Sequence, residues 1–236
     1  MTPHDVWRAG CEQKDFDYTA GSALLIEAGD PRLIFLAGRD WQTFDYEAGL
    51  ARLIALGSAE FIHKAGIFWR VFDFTAGCAA LARIGDPEYI YRAGRFWKIF
   101  DYGLGLEALT RVGLARYVYY AGKEWRTFDF DAGFESLMKC GGAEYLFYAG
   151  AYWKRFDHVR GFNRLVELGV SEFIYKAGTL WPIFDYRRAW DALSADLAGS
   201  LWRGKAFTHP RWRAALRSIW REEVTRAGLP SSADTA

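Results

Sequence analysis

The sequence predicts an all-α protein: an α-solenoid of about seven tandem two-helix repeats, closed by a C-terminal capping helix. Three observations lead to this prediction. Ala-Gly pairs begin at residues 9, 37, 65, 93, 121, 149 and 177, each 28 residues after the last. A Phe-Asp pair follows each of them in phase. A Trp and a Leu also recur with this period, and a fixed period of 20–50 residues is the signature of repeat proteins.

Each unit carries start and stop signals for two helices. In residues 45–72, Asp45 precedes an amphipathic pattern that ends at Gly57, as an N-cap and a C′ glycine do. A second start signal follows, which is Ser58 here and Asp30-Pro31 or Asp86-Pro87 in sister units. The unit is therefore expected to be a helical hairpin of about 11 and 13 residues.

The second helix of each hairpin is expected to bury one apolar face. Ile62, Ala65, Trp69 and Phe72 recur at intervals of three and four, so this helix should continue through the Trp and the Phe. A hairpin this small cannot bury that face alone, and the units must stack. The Gly of each Ala-Gly pair then allows either a close approach of helices or room for a neighbouring Trp.

The arrangement resembles the two-helix solenoids, such as HEAT and tetratricopeptide arrays, although 28 residues is shorter than their period of roughly 34 or more. We assign the array to residues 1–198. Residues 199–228 are read as a linker or loop, "SLWRGKAFTHP", and a basic amphipathic capping helix whose apolar face covers the last repeat. An alternative is that this helix binds an anionic partner or a membrane surface. Residues 229–236 are expected to be a disordered tail.

Composition narrows the classes of function. The 236 residues carry a net charge of +1, which does not favour bulk attraction to nucleic acid or to a membrane. The three cysteines are odd in number and form no CxxC pair, as in a reducing compartment. The N-terminus lacks the features of a signal peptide, and no stretch has the roughly 18 apolar residues of a membrane span. We expect a cytoplasmic protein.

The repeated aspartate invites a catalytic or metal-binding interpretation. Each one, however, occupies an N-cap position, and neighbours are separated by a whole repeat. No HExxH, GxSxG or phosphate-binding loop occurs. The sequence predicts no catalytic residue, no metal and no cofactor. An enzyme would need a polar pocket between units or in the C-terminal segment.

Candidate binding residues lie at variable positions of the second helices, where solenoids bind their partners. One position is aromatic in unit after unit, and two others are basic. The aromatic row is Phe35, His63, Tyr91, Tyr119, Phe147 and Tyr175, and the basic positions are Arg39, Arg70, Arg95, Lys98, Lys123, Arg126 and Lys154. If the helices are as long as expected, both rows lie on one face. The alternative is that the aromatic ring packs across to the next unit.

These rows lead to two hypotheses of function. The first is a non-catalytic binding or scaffolding module that recognises a protein or peptide partner along the second helices. The second is binding of single-stranded RNA or DNA, because aromatic and basic side chains together suit stacking and phosphate contact. A membrane partner is not expected.

Overall fold

The computed structural model describes residues 2–193 and 197–226. Every regular element in these ranges is an α-helix, as predicted. The sixteen helices described are α1 (Pro3–Glu12), α2 (Tyr18–Ala28), α3 (Pro31–Asp40), α4 (Tyr46–Ala55), α5 (Ala59–Phe68), α6 (Phe74–Ile84), α7 (Pro87–Phe96), α8 (Tyr102–Val112), α9 (Ala115–Glu124), α10 (Phe130–Cys140), α11 (Ala143–Tyr152), α12 (His158–Leu168), α13 (Ser171–Leu180), α14 (Tyr186–Leu193), α15 (Leu197–Thr208) and α16 (Pro210–Arg226).

The chain forms two compact units, Met1–Asp129 and Phe130–Ala236. In the first, each helix packs on the next one along the chain and on the helix two places further on. The even-numbered helices α2 to α8 therefore make one layer, and the odd-numbered helices α1 to α9 make the other. In the second unit, α11 packs on α12 and α13 in the same way. We call the even-numbered helices α2–α14 first helices and the odd-numbered helices α1–α13 second helices.

The aspartates begin the first helices, as predicted. The carboxylate of Asp73 accepts hydrogen bonds from the backbone N–H groups of Thr75 and Ala76 at 2.9 and 3.0 Å. Each such cap contributes about 1 kcal/mol to stability. The same contact is made by Asp17, Asp45, Asp101, Asp157 and Asp185. Gly85 closes α6 at φ 77°, in the left-handed region that glycine adopts without strain.

The second helices are shorter than expected. α5 has 10 residues and ends at Phe68, and Trp69 is its C-cap with extended backbone. The expectation of a helix continuing through Trp69 and Phe72 is therefore wrong. The reason is that α6 begins at Phe74, so the chain has to reverse direction between Phe68 and Phe74.

The repeated Trp is buried between successive units, which confirms its predicted burial. We call the contacts of its indole with the preceding unit the joint. The indole Nε1 of Trp69 donates a hydrogen bond of 3.0 Å to the backbone oxygen of Phe35, 34 residues earlier. A Cβ atom placed on Gly38 would lie 2.4 Å from that same Nε1. Glycine at this position therefore makes room for the indole, which decides between the two interpretations of the Ala-Gly pair. The joint recurs at Trp41, Trp97, Trp125 and Trp181.

The C-terminal segment differs from its prediction in one respect. Residues 200–208, read as part of a linker or loop, belong to helix α15, which packs on α13, α14 and α16. The segment contains no proline before Pro210, and Trp202 lies against Tyr175, with ring centroids 5.2 Å apart. Packing on the last repeat thus holds this segment in a helix. The predicted tail, residues 229–236, lies outside the described residues.

The final helix, α16, packs on α13 and α14 as predicted. Its Trp212 replaces the repeat tryptophan, although it comes 31 residues after Trp181 rather than 28. The Nε1 of Trp212 donates to the backbone oxygen of Tyr175 at 3.1 Å, and its indole lies over Gly178. The capping helix therefore closes the array by repeating the internal joint.

Candidate binding surfaces

The aromatic row does not form an exposed line. Phe35, His63, Tyr119 and Phe147 are only 3–6% exposed, while Tyr91 and Tyr175 are half-buried. Of the two interpretations, an exposed groove or packing across to the next unit, the structure agrees with the second. The ring of Phe35 lies 5.9 Å from that of Phe61 in the following unit. Trp7, 28 residues before Phe35, belongs to the same row, and its backbone oxygen accepts the hydrogen bond of Trp41.

His63 is the polar member of this row. It lies between α5 and α7, with its ring stacked on that of Trp97 at an interplanar angle of 14°. Burial lowers the pKa of His63 to about 4, and the nearby charge of Arg92 acts in the same direction. His63 is therefore neutral at pH 7, and it serves as a core residue.

Tyr91 is held by a polar network. Its hydroxyl donates a hydrogen bond of 2.6 Å to Glu124, which also pairs with Arg95 at 2.9 Å. Burial raises the pKa of Tyr91 to about 12, and the hydrogen bond to Glu124 adds to this effect. Arg95, one of the predicted binding cations, is thus engaged within the unit. Arg39 is engaged in a similar way, by Asp40 at 2.7 Å.

Four of the other basic residues do not lie on the second helices, where they were expected. Arg70, Lys98, Arg126 and Lys154 follow the C-caps of their helices and occupy exposed turns rather than a helical face. The expectation that they share a face with the aromatic row is wrong, because the helices end before them. Lys123 stays in the last turn of α9 and is exposed.

The turns also carry exposed apolar side chains, which the sequence analysis missed. Phe68, Val71, Phe96 and Ile99 are 52–61% exposed. We call these four residues, together with Ile67, Arg70 and Lys98, the turn surface. The signal was present in the sequence, since apolar residues one position before the Trp and two after it recur in consecutive units.

A small cleft joins two consecutive turns of the turn surface. It has a volume of about 140 Å³, and its lining includes Ile67, Arg70, Phe96 and Lys98. The ammonium group of Lys98 lies 5.5 Å from the centre of the Phe74 ring. Neither Arg70 nor Lys98 forms an ion pair with a carboxylate of the described residues. The cleft therefore combines apolar walls with two positive charges that are not paired with a carboxylate, although Arg70 donates a hydrogen bond of 3.4 Å to the backbone oxygen of Gln42.

Two larger clefts lie between first helices, one in each unit. The cleft between α2 and α4 has a volume of about 550 Å³ and is mainly apolar. The cleft between α10 and α12 is similar in size, about 570 Å³, but is crossed by the ion pairs Arg160–Glu135 and Arg155–Asp131. Lys154, a predicted binding residue, lines the second cleft.

In residues 2–193 and 197–226, no cluster of His, Cys, Asp or Glu side chains has the composition to hold a metal ion. The three cysteines are free, with Cys11 exposed, Cys140 half-buried and Cys78 buried. None of the helices described has the length and apolar character needed to cross a membrane. Comparison of the chain with protein-family models, curated proteins and solved structures finds no match.

Proposed function

We propose that this chain is a non-catalytic helical-repeat module that binds a protein or peptide partner, and that the turn surface contacts that partner. One observation carries the proposal: Phe68, Val71, Phe96 and Ile99 remain more than half exposed on consecutive turns. A cluster of exposed apolar side chains with a polar rim is typical of protein-interaction sites. The partner contributes apolar side chains to this surface.

The charges of the turn surface specify the partner further. Arg70 and Lys98 flank the cleft, whereas the nearest aspartates along the chain, Asp73 and Asp101, are engaged by backbone N–H groups as N-caps. A peptide with an acidic residue beside bulky apolar ones complements this arrangement. Charges at the rim of such a site set the rate of association and the specificity more than the affinity.

Nucleic acid is the second candidate, supported by the exposed cations Arg70, Lys98 and Arg126 and by the exposed ring of Phe96. Binding of single strands relies on aromatic rings that are open to the bases. Four of the six rings of the aromatic row are buried and the other two are half-buried, and protein is therefore our first choice.

A peptide selection tests the proposal. Random twelve-residue peptides are displayed and selected on the full chain, with removal of those that also bind the Phe96→Ser/Ile99→Ser variant. We expect the retained peptides to pair acidic with apolar residues. Fluorescence anisotropy should show affinity at least about tenfold lower for that variant, which corresponds to about 1.4 kcal/mol.

The matched control is Leu180→Ser/Ile183→Ser, which changes the same two positions of the turn after α13. That turn has Pro182 where the turn surface has a cation, so we expect the control to bind the selected peptides as the unaltered chain does. Equal loss of affinity in both variants, or no retained peptide, would contradict the proposal. A labelled single-stranded oligonucleotide that binds at low salt, and is released by Arg70→Ala/Lys98→Ala, would favour the second candidate.

A further inference from the structure

The cleft between α2 and α4 is separate from the turn surface and has the properties of a binding site. Its volume, about 550 Å³, falls in the range of roughly 300–1,000 Å³ that ligand pockets occupy. Tyr18 and Ile26 of α2 form one apolar wall, and Phe44 of the turn before α4 forms another. The cleft is therefore large enough for a bulky side chain and part of the backbone that carries it.

The lining of this cleft departs from the repeat at Ser22. Ser22 carries a hydroxyl at a position where the equivalent first helices have no hydroxyl, namely Leu50, Cys78, Leu106, Phe134, Phe162 and Trp190. Beside it, Ala23 and Ala48 occupy the two positions at which α10 and α12 carry Glu135 and Arg160. The α2/α4 cleft is thus lined by smaller and uncharged side chains at the three positions where Phe134, Glu135 and Arg160 line the α10/α12 cleft.

The hydroxyl of Ser22 supplies a second, independent observation. Ser22 is 3% exposed, and its Oγ has no hydrogen-bond partner among the described residues. Ser136 and Thr110, also in first helices, donate to the backbone oxygens four residues earlier at 2.8 and 2.7 Å. A buried polar group without a partner is costly, and in a cleft it favours a ligand that supplies one.

The charge of the cleft is negative. Glu27 and Asp45 line it, and none of its lining residues is Lys or Arg. Glu27 forms no ion pair within the described residues, whereas Asp45 caps α4 through the N–H of Ala48 at 3.0 Å. A cationic group beside Glu27 is therefore attracted, in contrast to the turn surface, which attracts acidic residues.

We infer that the α2/α4 cleft binds a peptide segment of a protein partner, in which a bulky apolar side chain enters the cleft next to a Lys or Arg. The apolar side chain packs between Tyr18, Ile26 and Phe44. A polar group of the peptide backbone pairs with the Ser22 hydroxyl, and the basic side chain lies beside Glu27. The preference for a basic peptide distinguishes this site from the turn surface.

The experiment is a second selection from the twelve-residue library, with removal of peptides that bind the Ser22→Leu variant. Leucine is the residue at this position in α4, so the variant is expected to fold, and far-ultraviolet circular dichroism checks this. A second blocking variant, Ala23→Glu/Ala48→Arg, introduces the ion pair of α10 and α12 at the surface. We expect retained peptides that pair Leu, Phe or Trp with Lys or Arg, and at least about tenfold weaker binding to both variants.

Glu27→Gln separates the contribution of charge from that of shape. It should weaken binding of a selected peptide by about two- to fivefold, with a smaller effect at high salt. Glu107→Gln, an exposed carboxylate of α8 outside the cleft, should leave binding unchanged. The inference is overturned if no peptide distinguishes the chain from either folded blocking variant, or if the retained peptides are acidic.

Discussion

Glu135 of α10 and Arg160 of α12 are joined across adjacent first helices by an ion pair of 2.6 Å, and the corresponding residues of α2 and α4 are Ala23 and Ala48. One repeat further on, Asn163 accepts a hydrogen bond from Arg188, whereas α4 and α6 have Ala51 and Ala76. The unit of residues 130–236 thus ties its first helices together at the surface. In the unit of residues 1–129, α2, α4 and α6 have alanine at the same positions.

The interior of the two units shows no such difference. Trp97 of the first unit and Trp181 of the second both donate to a backbone oxygen 34 residues earlier, at 3.0 and 3.1 Å. Each indole also lies over a glycine, Gly66 or Gly150. The repeat therefore keeps the joint constant, and the two units differ in the surface residues between adjacent first helices.

The largest expected effect concerns the joint. Trp97→Ala should lower the free energy of unfolding by about 3–5 kcal/mol, because it removes a buried large aromatic side chain and its hydrogen bond. Trp181→Ala should cost a similar amount in the second unit. Urea denaturation followed by circular dichroism measures both. If only one of the two variants lost less than about 1 kcal/mol of unfolding free energy, the joint would not stabilise the two units equally.

The next expected effect is a pH dependence of stability that arises from His63 in the first unit. His63 has a folded-state pKa of about 4, below the ordinary value of 6.5, so the unfolded chain takes up the proton first. The stability that depends on neutral His63 is present above about pH 6.5 and is lost as the pH falls toward 4. At about 1.4 kcal/mol per pKa unit, the loss approaches 3 kcal/mol.

His63→Phe is the matched control for this pH effect, because Phe35 and Phe147 are the residues at this position in two sister units. The variant should lose stability less steeply between pH 6.5 and 4 than the unaltered chain. Thermal melts across this range provide the measurement. Identical pH dependence of the two chains would show that His63 does not titrate as its burial indicates.

The smallest expected effect concerns the surface ion pair between first helices, which the second unit has and the first unit lacks. Glu135→Ala/Arg160→Ala should change the free energy of unfolding by less than about 1 kcal/mol, because both side chains are about half exposed. Ala23→Glu/Ala48→Arg should gain a comparably small amount in the first unit. Urea titrations at low and high salt measure both changes. A change of several kcal/mol in either would mean that the surface ion pair is part of the stacking joint.

Much of the fold could be predicted because its signals are local and repeat with one period. Asp73 as an N-cap, Gly85 as a helix end and Trp97 as a buried residue each follow from residue type and register. The end of the second helix could not be predicted in this way. Trp69 and Phe72 continue the apolar spacing of α5, and only the reversal into α6 removes them from the helix.

The candidate binding surfaces were the least predictable part of the molecule. His63 and Arg70 are seven residues apart, which predicts a shared helical face, but one residue is buried and the other lies in an exposed turn. Exposure of Phe96 and Ile99 depends on how far the next unit covers them. The α2/α4 cleft depends on which residues of two different helices meet, and that pairing is a property of the stack.

The sequence by itself determined the repeat, its two helices and their caps, because these depend on neighbours within one 28-residue unit. It also marked the Trp and Gly of the joint, because both recur in register in unit after unit. The tertiary structure decided that Trp212 closes the array out of phase, that residues 200–208 are helical, and that the aromatic row is covered. It also placed Ala23 beside Ala48 and Glu135 beside Arg160. These outcomes depend on contacts between units, whose geometry is set by the Trp indole seated against the glycine of the preceding unit.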